Sequence, residues 1–174
     1  MINLYQPTIT KKDIKSVTGS LEKTYLSGNS PIVEDFEKKL AQICGTKYAL
    51  ACSNGTLALH LALISVGLNE GDEVIVPSLS YIASANAVKY FGGKPVFVDI
   101  NEDDWQINTD LIESKISKKT KAIMPVHLYG GVPKLNKISE IAKKYKLKII
   151  HDCAESLGSL YKGKHSSSYR DVAI

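Results

Sequence analysis

From residue 48 onward, short apolar runs alternate with segments of helical spacing, and that alternation limits what the chain can fold into more than any other feature. The runs fall at residues 48–52, 73–76, 95–100, 121–126 and 147–151, and a last one begins at Asp171. Helical segments at 56–66, 80–91, 109–116 and 133–145 separate most of them. The runs are apolar throughout instead of alternating, as expected of strands covered by helices on both faces. The pattern therefore predicts an α/β fold with a mainly parallel sheet. Gly67 and Gly92 stand where helix C-caps belong.

Ahead of this region the spacing predicts two helices. Thr10 is placed to cap the first, with Asp13 in its first turn and Ile14, Val17 and Leu21 on one face. The loop 26–30 breaks it, and Ser30 with Pro31 starts the second, whose stripe is Val33, Phe36, Leu40 and Ile43 before Gly45. The helix after Cys52 is apolar almost all round (Leu57, Ala58, Leu59, Leu61, Ala62, Leu63, Ile64, Val66), which predicts a buried helix. Its start then lies near the carboxyl edge of the sheet, where open α/β sheets bind ligands.

A chain of 174 residues suits one domain and can bury a core without disulfides or metals. The net charge of +4 is mild and the lysines are scattered, among them Lys137, Lys143, Lys144 and Lys146, which argues against nucleic-acid binding. Cys44, Cys52 and Cys153 are odd in number and lack C-x-x-C spacing, which fits a reduced, cytoplasmic setting. No run is long and apolar enough for a membrane span, and residues 1–7 lack the features of a signal peptide.

Three groups are candidates for chemistry. Ser53-Asn54-Gly55-Thr56 lies between a strand and the apolar helix, where free N–H groups and the helix dipole suit a phosphate; a plain N-cap explains the same residues. There is neither a G-x-G-x-x-G nor a P-loop sequence. Asp152 follows the run 147–151 directly, where a carboxylate is costly without a partner. A protonated pyridine nitrogen is one such partner; an ion pair, or a capping box with Glu155, is another. Tyr81, after the run 73–76, has a ring that can stack on a flat heterocycle or pack ordinarily. His60 and His127 have no ligand-like companions at metal spacing and read as structural, and His151 beside Asp152 lacks a nucleophile elbow.

In order along the chain, the blocks 52–60 (Cys-Ser-Asn-Gly-Thr-Leu-Ala-Leu-His), 71–77 (Gly-Asp-Glu-Val-Ile-Val-Pro), 81–88 (Tyr-Ile-Ala-Ser-Ala-Asn-Ala-Val), 94–100 (Lys-Pro-Val-Phe-Val-Asp-Ile), 125–130 (Pro-Val-His-Leu-Tyr-Gly) and 152–159 (Asp-Cys-Ala-Glu-Ser-Leu-Gly-Ser) resemble the DegT/DnrJ/StrS family of sugar aminotransferases. Details in the first and last blocks look closest to perosamine-synthase-like members, acting at C4 of a 4-keto-6-deoxy sugar. The resemblance implies the large domain of fold-type-I transferases with pyridoxal 5′-phosphate as cofactor. It puts Gly55 and Thr56 on the cofactor phosphate, Tyr81 over the ring, Asp152 against the ring nitrogen and Glu155 facing the ring's 3′ oxygen. It further implies a homodimer that moves an amino group, usually from glutamate, onto a nucleotide-linked keto sugar for cell-surface polysaccharide or amino-sugar synthesis.

The match also has gaps. The family's Schiff-base lysine belongs to a Ser-Phe-x-x-Asn-Lys block after a Gly-Asp-Val-Ala-like strand, and the sequence stops within that strand, at Ile174. The expectation is N-terminal helices plus an incomplete large domain over residues 1–174, without the C-terminal small domain, inactive alone and prone to associate. The alternatives are a non-catalytic module that binds the cofactor or pairs with a relative, and a piece of a family dehydratase. Ser167 and Arg170 replace glycines expected of relatives, and Lys134 and Asn136 replace acidic residues.

Overall fold

The computed structural model describes residues 6–169 and 171–174. Two helices come first, α1 (Lys11–Glu22) and α2 (Pro31–Cys44). Thr10 and Asp13 form a capping box at the start of α1: Thr10 N donates to Asp13 Oδ2 at 2.7 Å and Asp13 N to Thr10 Oγ1 at 3.3 Å. Ser30 and Pro31 open α2 as N-cap and first helical residue. Gly45 closes it at φ +65°, a left-handed conformation that glycine adopts without a Cβ penalty.

The alternating region follows: α3 (Gly55–Ser65), β1 (Glu73–Pro77), α4 (Ala83–Tyr90), β2 (Lys94–Val98), α5 (Thr109–Ile112), β3 (Thr120–Ile123), α6 (Leu135–Tyr145) and β4 (Lys148–His151). A small antiparallel hairpin, β5 (Leu160–Tyr161) with β6 (Lys164–His165), precedes β7 (Val172–Ala173). The main sheet has the order β2-β1-β3-β4-β7, and every pairing in it is parallel. Right-handed crossovers through helices are the usual way to build such a sheet, so the helices are distributed over both faces.

Side chains alternate between two cores. Val74, Val76, Ala122, Met124 and Ile150 face Leu59, Leu63, Ala87 and Val88 of α3 and α4. Ile75, Ile123 and Ile149, one residue out of phase, face Ile112 of α5 and Ile138 and Ile141 of α6. Burying both sides explains why the strands read as unbroken apolar runs.

Two expectations need correction. Residues 48–52 do not form a strand: no neighbour pairs with them among the described residues, and Tyr48 and Leu50 are exposed. An apolar run becomes a strand only when a ladder partner takes up its backbone groups. The helix α3 is buried on one face only. Leu59, Ala62 and Leu63 are in the core, whereas Leu57, Leu61 and Ile64 are 40–54 % exposed. Ile14, Val17 and Leu21 of α1 are likewise uncovered. His60, on α3, is half-buried and meets Phe91 edge-on at 6.2 Å.

Candidate functional site

The carboxyl edge of the sheet gathers the candidate residues. Asp152 is the first residue past β4 and is held in the sheet by its backbone: its N–H donates to Pro125 O at 3.0 Å, and its carbonyl accepts from His127 N at 2.9 Å. Its side chain is buried. Oδ2 accepts from Ser84 Oγ at 2.8 Å, and Oδ1 accepts a longer bond from Ala154 N at 3.3 Å. Among the described residues no lysine, arginine or histidine forms an ion pair with it. Burial pushes its carboxyl above the ordinary aspartate value, the Ser84 and Ala154 bonds pull it back, and the charge of Glu155 adds to the rise.

The capping box, one alternative for Asp152 and Glu155, does not form, because no helix starts there. Glu155 instead reaches a different loop, where its Oε2 accepts from Tyr129 N at 2.7 Å. Tyr129 has a left-handed backbone, φ +52°, and its ring meets that of Trp105 edge-on at 5.9 Å.

Tyr81 lies after β1, just ahead of α4, and is 74 % exposed. Its carbonyl accepts from Ser84 N and from Ser80 Oγ. Tyr81 is therefore tied, through its backbone, to the serine that holds Asp152.

At the start of α3 the N-cap is Asn54, whose Oδ1 accepts from Leu57 N at 3.0 Å. The cap explanation of this segment is thus realised in Asn54. It does not use up the site, since the amides of Gly55 and Thr56 donate to no acceptor among the described residues. A Cβ placed on Gly55 would meet only Ile174 Cδ1, at an ordinary 3.8 Å. Ile174 links this turn to Asp152: its N–H donates to His151 O at 2.9 Å and its carbonyl accepts from Cys153 N at 2.8 Å, the residues on either side of the carboxylate.

Beneath the edge lies a pair that inspection of single residues missed. His127 Nε2 and His151 Nδ1 share a hydrogen bond of 3.1 Å, with the rings edge-on and both side chains buried. Loss of solvation takes His127 down to about 3 and His151 to about 4, so both imidazoles are neutral near pH 7. Burial pushes the Cys153 thiol up to about 11, which leaves it a poor nucleophile. Ser84 is the other missed residue. Its signal was the pair Ser80 and Ser84, one helical turn apart beside Tyr81, with hydroxyls 3.0 Å from each other.

Of the departures noted near the end, Ser167 sits in a 3-10 turn, Ser166–Ser168, with its N–H on His165 Nδ1 at 3.2 Å, and has no positive φ. Arg170 lies outside the described residues.

An all-parallel main sheet of order β2-β1-β3-β4-β7 with helices packed on both faces is the layout of the fold-type-I transferase large domain, present here in part. The model of the DegT/DnrJ/EryC1/StrS aminotransferase family matches residues 7–174, and the chain belongs to that family. It is 48 % identical over 172 residues to the GDP-perosamine synthase of Escherichia coli O157:H7, covering 99 % of this chain and 47 % of the relative. With the GDP-perosamine synthase of Caulobacter vibrioides the identity is 44 % over 172 residues, covering 99 % and 46 %. Among solved structures, Spr1654 from Streptococcus pneumoniae, known in PLP, PMP and apo forms, superposes with a TM-score of 0.90 at 32 % identity, covering 99 % of this chain and 47 % of that one. The chain spans about half the length of the curated relatives it matches.

Proposed function

We propose that this chain binds pyridoxal 5′-phosphate at the carboxyl edge of its sheet and provides the binding and orienting part of a nucleotide-sugar aminotransferase. Such an enzyme takes an amino group, with glutamate as donor, onto a nucleotide-linked 4-keto-6-deoxy sugar for polysaccharide or amino-sugar synthesis. The observation that carries the reading is Asp152, a buried carboxylate at a strand end with hydroxyl and amide donors but no ion-pair partner among the described residues. A carboxylate in that position is stabilised by an incoming cation, and a pyridinium nitrogen is one.

When bound, the cofactor supplies a protonated ring that accepts the electron pair released at the amino-bearing carbon. The residues divide the remaining work. Asp152 keeps a proton on the ring nitrogen. The unused amides of Gly55 and Thr56, at the positive end of α3, take the phosphate. The exposed ring of Tyr81 covers one face of the heterocycle. Glu155, oriented by the Tyr129 amide, faces the ring's 3′ oxygen. The buried hydroxyl of Ser84 and the amide of Ala154 fix the Asp152 carboxylate before any ligand arrives, so little reorganisation accompanies binding.

The Ser-Phe-x-x-Asn-Lys block of the family does not occur within the 174 residues, so the reading is confined to binding and orientation. N-terminal helices joined to part of the large domain, assembly as a homodimer and a cytoplasmic location complete the proposal. Relatives named as aminotransferases of UDP-linked sugars, aligned over 82 % and 92 % of this chain, and three free cysteines, support it.

Titration with pyridoxamine 5′-phosphate, which needs no lysine anchor, tests the reading through ligand fluorescence. A charge-assisted hydrogen bond is worth about 1.5–3 kcal/mol, so Asp152→Asn should weaken binding roughly 10- to 100-fold. Equal affinities for wild type and Asp152→Asn would refute the assignment.

A further inference from the structure

Asp152 faces the energetic conflict of every buried carboxylate: it must stay ionised where burial favours the neutral acid. The structure shows what opposes burial. Ser84, in the first turn of α4, is 1 % exposed and has its hydroxyl 2.8 Å from Oδ2. Behind it Ser80 Oγ stands 3.0 Å from Ser84 Oγ and also bonds Tyr81 O. The second donor to the carboxylate, Ala154 N, is longer at 3.3 Å.

The other groups around Asp152 do not do this work. Glu155 has the same charge sign and disfavours ionisation. His151 and His127 are neutral and touch Asp152 along the chain and through its backbone carbonyl, respectively. Cys153 is a buried thiol. From α4 only the Ser84 hydroxyl arrives, since its Lys89 lies in the last turn. The β7 end contributes Ile174, an apolar side chain with backbone bonds to the flanking residues.

We infer that Ser84, backed by Ser80, is a positioning residue that holds Asp152 ionised and fixes the direction of its free lone pairs toward the ligand. The hydroxyl donates to Oδ2, so it stabilises the charged form and gives nothing comparable to the neutral acid. It also prevents the carboxylate from rotating, and the same helix turn carries Tyr81 at its entrance. The stacking ring and the ring-nitrogen partner are therefore set by one serine. This inference rests on the reading of Asp152 as the partner of the cofactor's ring nitrogen.

The test has two readouts. The first is the carboxyl 13C resonance of Asp152 in the uniformly labelled chain, identified by its loss in Asp152→Asn and followed with pH. Ser84→Ala should raise the midpoint by about one unit, a tenfold change in the ionisation constant. Ser84→Thr, which keeps the hydroxyl, should restore it, and Ser80→Ala, at a half-buried position, should move it less in the same direction. The second is the affinity for pyridoxamine 5′-phosphate across the same range. Above the midpoint of Ser84→Ala, where Asp152 is ionised in both proteins, that variant should show only a small, constant loss from the freer carboxylate; below it the gap in affinity should widen. A purely structural role for Ser84 would lower affinity by the same factor at every pH. That result, or an unmoved midpoint in Ser84→Ala and Ser80→Ala, overturns the inference. Equal binding by wild type and Asp152→Asn removes the ring-nitrogen reading alone, and a shifted midpoint beside it still upholds the Ser84–Asp152 coupling.

Discussion

The His127–His151 pair makes stability depend on pH in a direction the geometry fixes. Each imidazole titrates lower in the folded chain, at about 3 and about 4, than the ordinary histidine value of 6.5. The unfolded chain therefore binds protons first as pH falls. The native state is fully favoured above pH 6.5, and the advantage is lost progressively as pH drops toward 4 and then 3. Between pH 7 and pH 5 each histidine costs about 2 kcal/mol, and the pair at most about 4 kcal/mol, from the proton-linkage integral. The carboxylates held low, Glu73 among them through its Ser117 bond, lose their contribution only below the ordinary glutamate value and stay outside this window. Asp152 acts in the opposite sense, because its raised folded value lets the native state take up a proton first. Urea unfolding at pH 7, 6 and 5 reads the balance. With a slope of about 2 kcal/mol per molar, the midpoint should fall by up to about 2 M. The double variant His127→Gln/His151→Gln keeps neutral polar side chains and should flatten the profile whatever its stability at pH 7. A wild-type midpoint that does not move between pH 7 and pH 5, or a double variant with the same pH slope, would refute the reasoning.

Two further outcomes are expected. Gly55→Ala adds a Cβ that meets only Ile174 at 3.8 Å, so thermal stability should hold or rise by up to about 1 kcal/mol while affinity for pyridoxamine 5′-phosphate drops; a parallel loss of stability would show that the glycine serves the fold. The exposed apolar stripes of α1 (Ile14, Val17, Leu21) and α3 (Leu57, Leu61, Ile64) should drive self-association, visible as concentration-dependent sedimentation, and a monodisperse monomer at all concentrations would contradict this.

The parts of the fold legible in the sequence were those in which one segment carries its own signal. The runs that became β1, β3 and β4 are apolar at successive positions because Val74 and Ile75, Ala122 and Ile123, and Ile149 and Ile150 point into opposite cores. The capping box at Thr10 and the left-handed Gly45 are local in the same way. Residues 48–52 carry a comparable apolar signal and yet form no strand, since pairing belongs to two segments and only one was visible. The hairpin β5–β6 escaped notice for the converse reason. Its strands are two residues long, and only the turn Lys162-Gly163, at φ +50° and +79°, marks it.

The same distinction governs the site. Asp152 was legible because a carboxylate closing an apolar strand is anomalous by itself. Ser84 was not, because a serine in the first turn of a helix is ordinary until the carboxylate 68 positions away is found at 2.8 Å. The two histidines behaved alike: each looked structural alone, and their shared hydrogen bond across 24 positions makes them a titrating unit. Family resemblance suggests roles for Gly55, Tyr81 and Asp152 but says nothing of the Ser84 and Ser80 hydroxyls beside the last two. Residues that touch a ligand recur in motifs, whereas residues that set the charge of those contacts act through tertiary distance. The chemistry proposed for this edge therefore depends as much on Ser84 as on the carboxylate it holds, since an Asp152 that takes up its own proton no longer keeps one on the ring nitrogen.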